Sequence, residues 1–275
     1  NPDKKIFLVV PEQFPMQAQR NIVENSPGHG TFNIDIVSFN RLAYRIFEEL
    51  GIELPTAIDD TGKNLILRKI IDENKKDFKI IRAKDSQGFV SEIKSVISEL
   101  LQYSVTADML KDACGRLSTG GINNNERLRR KLEDISLIYS AFKEYISDKY
   151  ITTEEVTAIL CRYVDKSELL EKAVFAFDGF TGFTPVQYQL IELLFDKADT
   201  MYFTLTLPQD GDRWLFDMSY DELRRIGECA DRHHVRVRRM NVGEAVPYRF
   251  KDSPHLLHKP CSLAGNVGIS IQPLP

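Results

Sequence analysis

The spacing of hydrophobic positions changes twice along this chain. Residues 1–58 and the region after residue 164 contain short apolar runs bounded by turn-forming residues, such as Lys5–Val10 (KIFLVV) and Ala173–Phe177 (AVFAF), which predict buried strands. From Asp59 to about Val164, apolar residues recur at helical spacing, most clearly in Asn125–Ser147. The pattern therefore predicts an α/β layer that is interrupted by an all-helical insertion.

Two strand–helix units open the chain. Lys5–Val10 leads into a helix whose regular part begins near Pro15, because proline is tolerated only in the first turn of a helix. Phe32–Val37 alternates like a strand and is followed by Ser38, a good N-cap for a helix over Phe39–Leu50. Two such units in succession favour a layered α/β fold.

A β-α-β unit is predicted between Ala173 and Leu207. Thr184 is a suitable N-cap for its helix, and Gln187, three residues later, can complete a capping box. Thr200–Leu207 (TMYFTLTL) is the next strand. Because the first strand is continuously apolar, we expect a parallel sheet that is covered on both faces.

These patterns predict three regions. Residues 1–58 and 165–243 form a discontinuous α/β lobe, and residues 59–164 form the helical insertion. Residues 244–275 read as a linker-like tail, since proline and glycine interrupt every pattern there and only Val267–Ile271 indicates a strand. The first residues, Asn1-Pro2-Asp3, lack an initiator methionine, so we expect that the amino end has been cut.

Composition narrows the class of protein. The formal net charge is −4, so a nucleic-acid site must be a local patch and not a global field. No apolar run approaches the roughly 20 residues of a membrane helix, and no secretory signal is visible. The cysteines, Cys114, Cys161, Cys229 and Cys261, form no C-x-x-C pair, which favours reduced thiols in the cytoplasm over a zinc or iron–sulfur site.

Thr61-Gly62-Lys63-Asn64 superficially resembles a phosphate-binding loop. The pattern requires a glycine where Ala57 stands and a Ser or Thr where Asn64 stands, and no strand precedes it. The segment is fully explained as the start of a helix. We therefore expect that this chain by itself holds no ATP phosphates and contains no catalytic residue.

The loop after the third predicted strand is the first candidate site. Ligands of open parallel sheets gather outside the carboxyl ends of the strands, where Asp178 lies. Helicases and other P-loop ATPases hold Mg²⁺ with an acidic pair at such a position, but Gly179 replaces the second acid. Phe180 and Phe183, both predicted to be exposed, follow. Asp178 is therefore interpreted as a vestigial acidic position in a lobe that binds without hydrolysing, or as a simple cap of the loop.

Basic and aromatic residues are predicted at the same edge of the sheet. Arg41 and Tyr44 share one face of the helix after the second strand, and the turn after the first strand carries an amide and a ring. Such groups can stack on bases and read their edges. The candidate set is Gln13, Phe39, Arg41, Tyr44, Phe180 and Phe183. The alternative, that Phe39, Tyr44 and one of the two later phenylalanines are core residues, stays open.

Six arginines lie between Arg224 and Arg239. On a strand over His234–Met240, Arg236 and Arg238 share one face. The segment is either a solvated edge strand protected by its charge or an edge that contacts phosphates.

Four segments resemble one family. They are LVVPEQFPMQAQ (Leu8–Gln19), VSFNRLAYRIFEELG (Val37–Gly51), IDDTGKNLILRKII (Ile58–Ile71) and FDGFTGFTPVQYQLIELL (Phe177–Leu194). They are similar to the amino-terminal region of AddB, one of the two subunits of a bacterial ATP-dependent helicase–nuclease that resects double-strand breaks. The resemblance implies a P-loop-NTPase-type, UvrD-like helicase lobe without its Walker A segment.

The resemblance also implies a role for this lobe. It is expected to bind single-stranded DNA at DNA ends and to scan for the Chi sequence, in a heterodimer with the AddA helicase–nuclease subunit. Gln13, Arg41, Tyr44 and Phe180 or Phe183 match family positions associated with the strand being read. ATP with Mg²⁺ and a 4Fe-4S cluster are expected elsewhere in such a subunit and not in this chain. Two alternatives are a Mg-ATP-hydrolysing lobe missing its first strand and a scaffold that binds only protein.

Overall fold

A computed structural model describes residues 4–25, 33–80, 87–119, 124–147, 149–208, 213–241 and 264–272. The chain divides into two compact units. The sheet unit comprises residues 1–52 and 159–275, and the helical unit comprises residues 53–158. Within the described ranges, no helix combines the length and the apolar character that crossing a membrane requires.

The strands and helices follow each other in an α/β order. The strands are β1 Ile6–Val9, β2 Ile34–Val37, β3 Thr56–Ile58, β4 Tyr150–Thr152, β5 Val174–Phe177, β6 Thr200–Pro208, β7 Arg236–Asn241 and β8 Ala264–Gln272. The helices are α1 Pro15–Asn25, α2 Phe39–Glu49, α3 Asp60–Glu73, α4 Gln87–Gln102, α5 Ala107–Thr119, α6 Asn124–Ile146, α7 Glu155–Leu160, α8 Pro185–Phe195 and α9 Asp217–Arg232. Short 3-10 helices span Val164–Lys166 and Arg213–Phe216.

The sheet unit contains one sheet in the order β2-β1-β5-β6-β8-β7. Its first four strands are parallel, which confirms the predicted α/β fold with a parallel sheet. The strand indicated at Val267–Ile271 is also confirmed, because β8 lies antiparallel between β6 and β7. β7 therefore runs in the same direction as β6 and forms an edge of this sheet.

Burial alternates along the central strands. Phe7, Val9, Phe175 and Phe177 are fully buried, and the residues between them are only half-buried. Phe7 stacks on Phe175 with ring centroids 5.2 Å apart, and Phe177 stacks on Phe203 at 4.8 Å. One face therefore holds the aromatic core, and the side chains of these strands on the other face are half-buried.

The predicted caps fix the starts of two helices. The Ser38 hydroxyl accepts a hydrogen bond from the Arg41 backbone N–H at 3.3 Å, which satisfies one free donor at the start of α2. At α8, Thr184 and Gln187 form the predicted capping box, with hydrogen bonds of 3.3 Å and 2.9 Å. Ser38 directly follows β2, and Thr184 ends the loop after β5, so both caps lie at the carboxyl edge of the sheet.

The helical unit packs around its own hydrophobic core. The buried side chains that form it come from β3, α3, α4, α5 and α6, and they include Leu67, Ile97, Leu110, Ile138 and Phe142. β3 and β4 form a small parallel sheet in this unit. The expectation that residues 59–164 are helical throughout is therefore wrong at Tyr150–Thr152, where a three-residue strand pairs with Thr56–Ile58.

Candidate nucleic-acid interface

Three segments meet at the carboxyl edge of the parallel sheet. They are the turn Pro11–Phe14 after β1, the residues Phe39–Tyr44 at the start of α2, and the loop Asp178–Phe183 after β5. We call these three segments the rim. The strand register aligns their starting points, because Val9 pairs with both Val37 and Phe177. The sequence-predicted site residues therefore do lie on one edge.

Direct contacts hold the rim together. The Glu12 carboxylate accepts a hydrogen bond from the Asn40 backbone N–H at 3.1 Å, which joins the turn after β1 to the first turn of α2. Gly179 has a φ of +77°, a conformation that favours glycine, and a Cβ added there would lie 3.8 Å from Pro11 Cδ. The loop after β5 thus passes close to the turn after β1.

An aromatic cluster forms the floor of the rim. The Phe39 ring lies 5.5 Å from Phe180 and 6.1 Å from Phe183, and the last two rings are 4.8 Å apart. Phe39 is only 4% exposed and Phe183 only 8%, whereas Phe180 is half-buried. The expectation that both loop phenylalanines are exposed is therefore wrong for Phe183, whose ring also packs edge-on against Phe177 in the core.

The upper surface of the rim is polar and aromatic. Gln13, Arg41 and Tyr44 are exposed, and Tyr44 (44% exposed) packs edge-on against Phe47. Among the described residues, no ion pair engages the Arg41 guanidinium. Phe14, in the turn after β1, is a further exposed ring. The geometry offers a guanidinium, an amide and aromatic rings to a ligand above a hydrophobic floor.

Asp178 has structural partners. Its backbone N–H donates to the Val9 carbonyl at 3.0 Å, and its carboxylate accepts a hydrogen bond from the Thr204 hydroxyl, which ties the end of β5 to β6. The described part of the chain contains no group of three His, Cys, Asp or Glu residues arranged to hold a metal ion. The Asp178 carboxylate thus has a structural role at the end of β5.

Lys63, in the segment that resembles a phosphate loop, is committed to an ion pair. It is 1% exposed and donates to Glu154 at 2.6 Å and to the Ser98 hydroxyl at 3.3 Å. The Asp59 side chain accepts from the Gly62 N–H at 2.7 Å and caps α3. Since its lysine is sealed inside the helical unit, this segment does not fit ATP phosphates.

Glu222 supports the rim from below, a role that the sequence analysis missed. This buried residue of α9 accepts hydrogen bonds from the Tyr188 hydroxyl and from the Phe183 backbone N–H. Burial raises the pKa of the Glu222 carboxyl, and these two donors only partly oppose it. One signal was available, because Glu222, Ile226 and Cys229 follow the helical spacing of the buried face of α9.

The arginines of α9 and β7 divide into two groups. Arg224 pairs with Glu228 at 2.7 Å, and Arg232 pairs with Glu192. Arg236, Arg238 and Arg239 are exposed on the edge strand β7. The position of β7 agrees with the charge-protected edge that the sequence predicts; the alternative, a phosphate contact, stays a prediction.

The surroundings of the described cysteines make their thiols unreactive. Cys114, Cys161 and Cys229 are free thiols, and burial raises the pKa of Cys161 and Cys229 to about 11. Such thiols stay protonated near neutral pH and are poor nucleophiles and metal ligands. Cys261 lies outside the described residues.

Comparison with known protein families agrees with the resemblance that the four segments at the rim and in α3 carry. The family model described as "ADDB, N-terminal" matches residues 1–258. The chain belongs to the AddB amino-terminal family. All four segments that carry the resemblance lie inside the matched range.

Curated relatives carry a matching name over most of the chain. The B-type subunit of the "ATP-dependent helicase/deoxyribonuclease" of Lachnoclostridium phytofermentans is 42% identical over 209 residues, which are 76% of this chain and 18% of that protein. The proteins of the same name from Clostridium kluyveri and Clostridium acetobutylicum are 32% and 31% identical over 95% and 92% of the chain. This AddB-family chain thus spans about a fifth of the length of these relatives.

Proposed function

We propose that the rim binds single-stranded DNA and that this chain is a non-hydrolysing, helicase-like lobe of an AddB-type subunit. The observation that carries the proposal is the convergence of three separate segments on one sheet edge. They present Gln13, Arg41, Tyr44 and the half-buried Phe180 over a floor formed by Phe39. Aromatic rings that stack on bases, together with an exposed guanidinium, are the groups with which proteins bind single-stranded nucleic acid.

The names of the relatives support a role for this lobe in a larger assembly. Each name describes one subunit of an ATP-dependent helicase and deoxyribonuclease. We infer that the parent protein takes part in DNA-end resection during repair, with an AddA-type partner subunit. In that setting, a strand held along the rim is inspected for the Chi sequence as it passes.

We also propose that the lobe has a UvrD-like, P-loop-type fold. A parallel sheet with its ligand groups at the carboxyl edge supports it. The proposal assigns no reaction chemistry to this chain, and it is supported by the partners of two candidate residues: the Asp178 carboxylate accepts a hydrogen bond from Thr204, and Lys63 pairs with Glu154. ATP with Mg²⁺ and a 4Fe-4S cluster are assigned to other segments of an AddB-type protein.

Fluorescence anisotropy with a labelled single-stranded oligonucleotide tests the proposal. We expect salt-sensitive binding, because phosphate contacts release counterions. Phe180→Ala removes one stacking ring, which is worth about 1–3 kcal/mol per base and weakens binding about five- to hundredfold. Arg41→Ala weakens binding and makes the slope of log affinity against log salt shallower by about 0.7, the value for one phosphate contact on a single strand.

Arg68→Ala is the matched control for charge, since it removes an exposed arginine of α3 in the helical unit. We expect it to leave the affinity and the salt slope unchanged. Binding that does not depend on salt, or no binding at low salt, would contradict the proposal and favour the protein scaffold. Turnover of ATP that stops on Asp178→Ala would favour the hydrolysing lobe instead.

A further inference from the structure

The single tryptophan of the chain stands at the same sheet edge as the rim. Trp214 belongs to the 3-10 helix Arg213–Phe216, between the end of β6 and the start of α9. Because β6 is parallel to β5, its carboxyl end opens on the edge where the loop Asp178–Phe183 lies. Trp214 carries no sequence signal of its own, since the segment around it shows no strand or helix pattern.

The Trp214 side chain is largely exposed, although most of the indole ring is apolar. It is 68% exposed, and Met218, one helical turn later, is 69% exposed. Scattered surface hydrophobic residues are ordinary, but here the only tryptophan and a methionine are both exposed within five residues of each other in the sequence. An exposed indole with a second exposed apolar side chain close in sequence is a candidate surface for a ligand.

The position of Trp214 relative to the rim is fixed through α9. Glu222, eight residues after Trp214, accepts a hydrogen bond from the Phe183 backbone N–H in the rim loop. At the rises of 3-10 and α-helices, eight residues span no more than about 13 Å. Since α9 connects the parallel strands β6 and β7, it runs back from the carboxyl edge, and its first residues lie at that edge.

We propose that Trp214 stacks on an unpaired base of the strand that the rim binds, an inference that rests on the function proposed above. Strands β5 and β6 are neighbours in the sheet, so Phe180 and Trp214, which follow their carboxyl ends, are offered to a ligand from the same edge. The surroundings suit a polyanion, because Arg225 is exposed on the same helix and Arg41 is exposed on the rim. A base has a π-face for the indole, and its backbone supplies the charge for the arginines.

Tryptophan fluorescence tests this directly, because the emission comes from one position. The 275-residue chain is titrated with unlabelled oligothymidylate, and anisotropy of a labelled copy is followed in parallel. We expect the emission to be quenched with the same midpoint as the anisotropy change. Trp214→Ala weakens binding about five- to hundredfold, and Trp214→Phe, which keeps a ring, retains most of the affinity.

The control is Tyr103→Ala, which removes an exposed ring from the helical unit and is expected to leave binding unchanged. Anisotropy that reports binding while the indole emission stays constant overturns this inference and leaves the proposed function intact. No anisotropy change at low salt overturns both. Equal losses for Trp214→Ala and Trp214→Phe also contradict stacking, because a phenyl ring still offers a face to the base.

Discussion

The two units of this chain each contain a partly or fully buried carboxyl group, and the pKa values of the two groups are shifted in opposite directions. Burial raises the pKa of both Glu154, in the helical unit, and Glu222, in the sheet unit. At Glu154 the hydrogen bond and the charge of Lys63 outweigh burial, so its pKa is lower than that of an ordinary glutamate. At Glu222 the partners are a hydroxyl and a backbone N–H, burial prevails, and the pKa is raised.

The difference separates charges that stabilise a fold from groups that stay available to a ligand. Lys63 is buried inside the helical unit, where its ammonium pairs with the half-buried carboxylate of Glu154. The sheet unit instead secures its rim loop through neutral donors and leaves Arg41 exposed. A cationic group is therefore used for stability in one unit and presented to solvent in the other. That contrast is what makes the rim, and not the segment around Lys63, the candidate interface.

The largest expected effect tests the helical side of the comparison. Lys63→Met keeps much of the side-chain volume but leaves Glu154 without its cation, and breaking a buried pair in this way typically costs about 3–5 kcal/mol. We expect a corresponding loss in the free energy of unfolding, measured by urea denaturation. The matched control is Lys69→Met in the same helix, an exposed lysine 3.9 Å from Glu73 and 5.0 Å from the centre of the Tyr145 ring, which should change the stability by less than about 1 kcal/mol. Similar losses in the two variants would show that the pair around Lys63 is not a buried one.

A smaller effect is expected on the sheet side. Tyr188→Phe removes one donor from Glu222 and leaves a buried acceptor short of a partner, which costs about 1–3 kcal/mol. Because Glu222 also holds the Phe183 N–H, we expect weaker binding of single-stranded DNA along with the loss of stability. Tyr202→Phe is the control, since the Tyr202 side chain is exposed on β6 and its hydroxyl can bond to water. Unchanged stability in Tyr188→Phe would mean that Glu222 does not depend on this hydroxyl.

Local patterns were sufficient to predict most of the sheet unit. The strands β1, β2, β5 and β6 are continuous apolar or alternating runs, and Ser38 and Thr184 are caps whose partners lie three residues away. Such signals depend only on neighbours in the sequence, so they can be interpreted without knowledge of the fold. The convergence of the rim segments was also predictable, because the carboxyl ends of parallel strands share an edge.

Long-range partners were not predictable. The ring of Phe183 looks like any loop phenylalanine in the sequence, and only the packing of Phe39 and Phe177 around it decides that it is buried. The short strand β4 has no pattern of its own and exists because it pairs with β3, more than ninety residues earlier. Glu222 satisfies a loop that lies about forty residues away in the chain. Each of these features is set by a contact that no local spacing encodes.

The pH dependence of stability gives the finest test of the comparison. The pKa of Glu222 is raised above its unfolded value of 4.5, so its contribution to stability is present below that pH and is lost as the pH rises through the folded pKa. The pKa of Glu154 is lowered, so its contribution is present above 4.5 and is lost as the pH falls through the folded pKa. The two units should therefore show opposite slopes.

Each slope is isolated by replacing one carboxyl with an amide that cannot titrate. Urea unfolding is measured from about pH 4 to about pH 7 for the parent, Glu222→Gln and Glu154→Gln. We expect the free energy of unfolding of Glu222→Gln to rise relative to the parent as the pH increases, because the parent alone has to ionise a buried group. That of Glu154→Gln should fall relative to the parent over the same range, because the parent alone gains an ion pair with Lys63. Slopes of the same sign in both variants would mean that Glu222 is held as an ion, most directly by Arg225, the cation that acts on it from one turn further along α9. The rim loop would then be secured by charge, as the helical unit is, and the contrast between the two units would disappear.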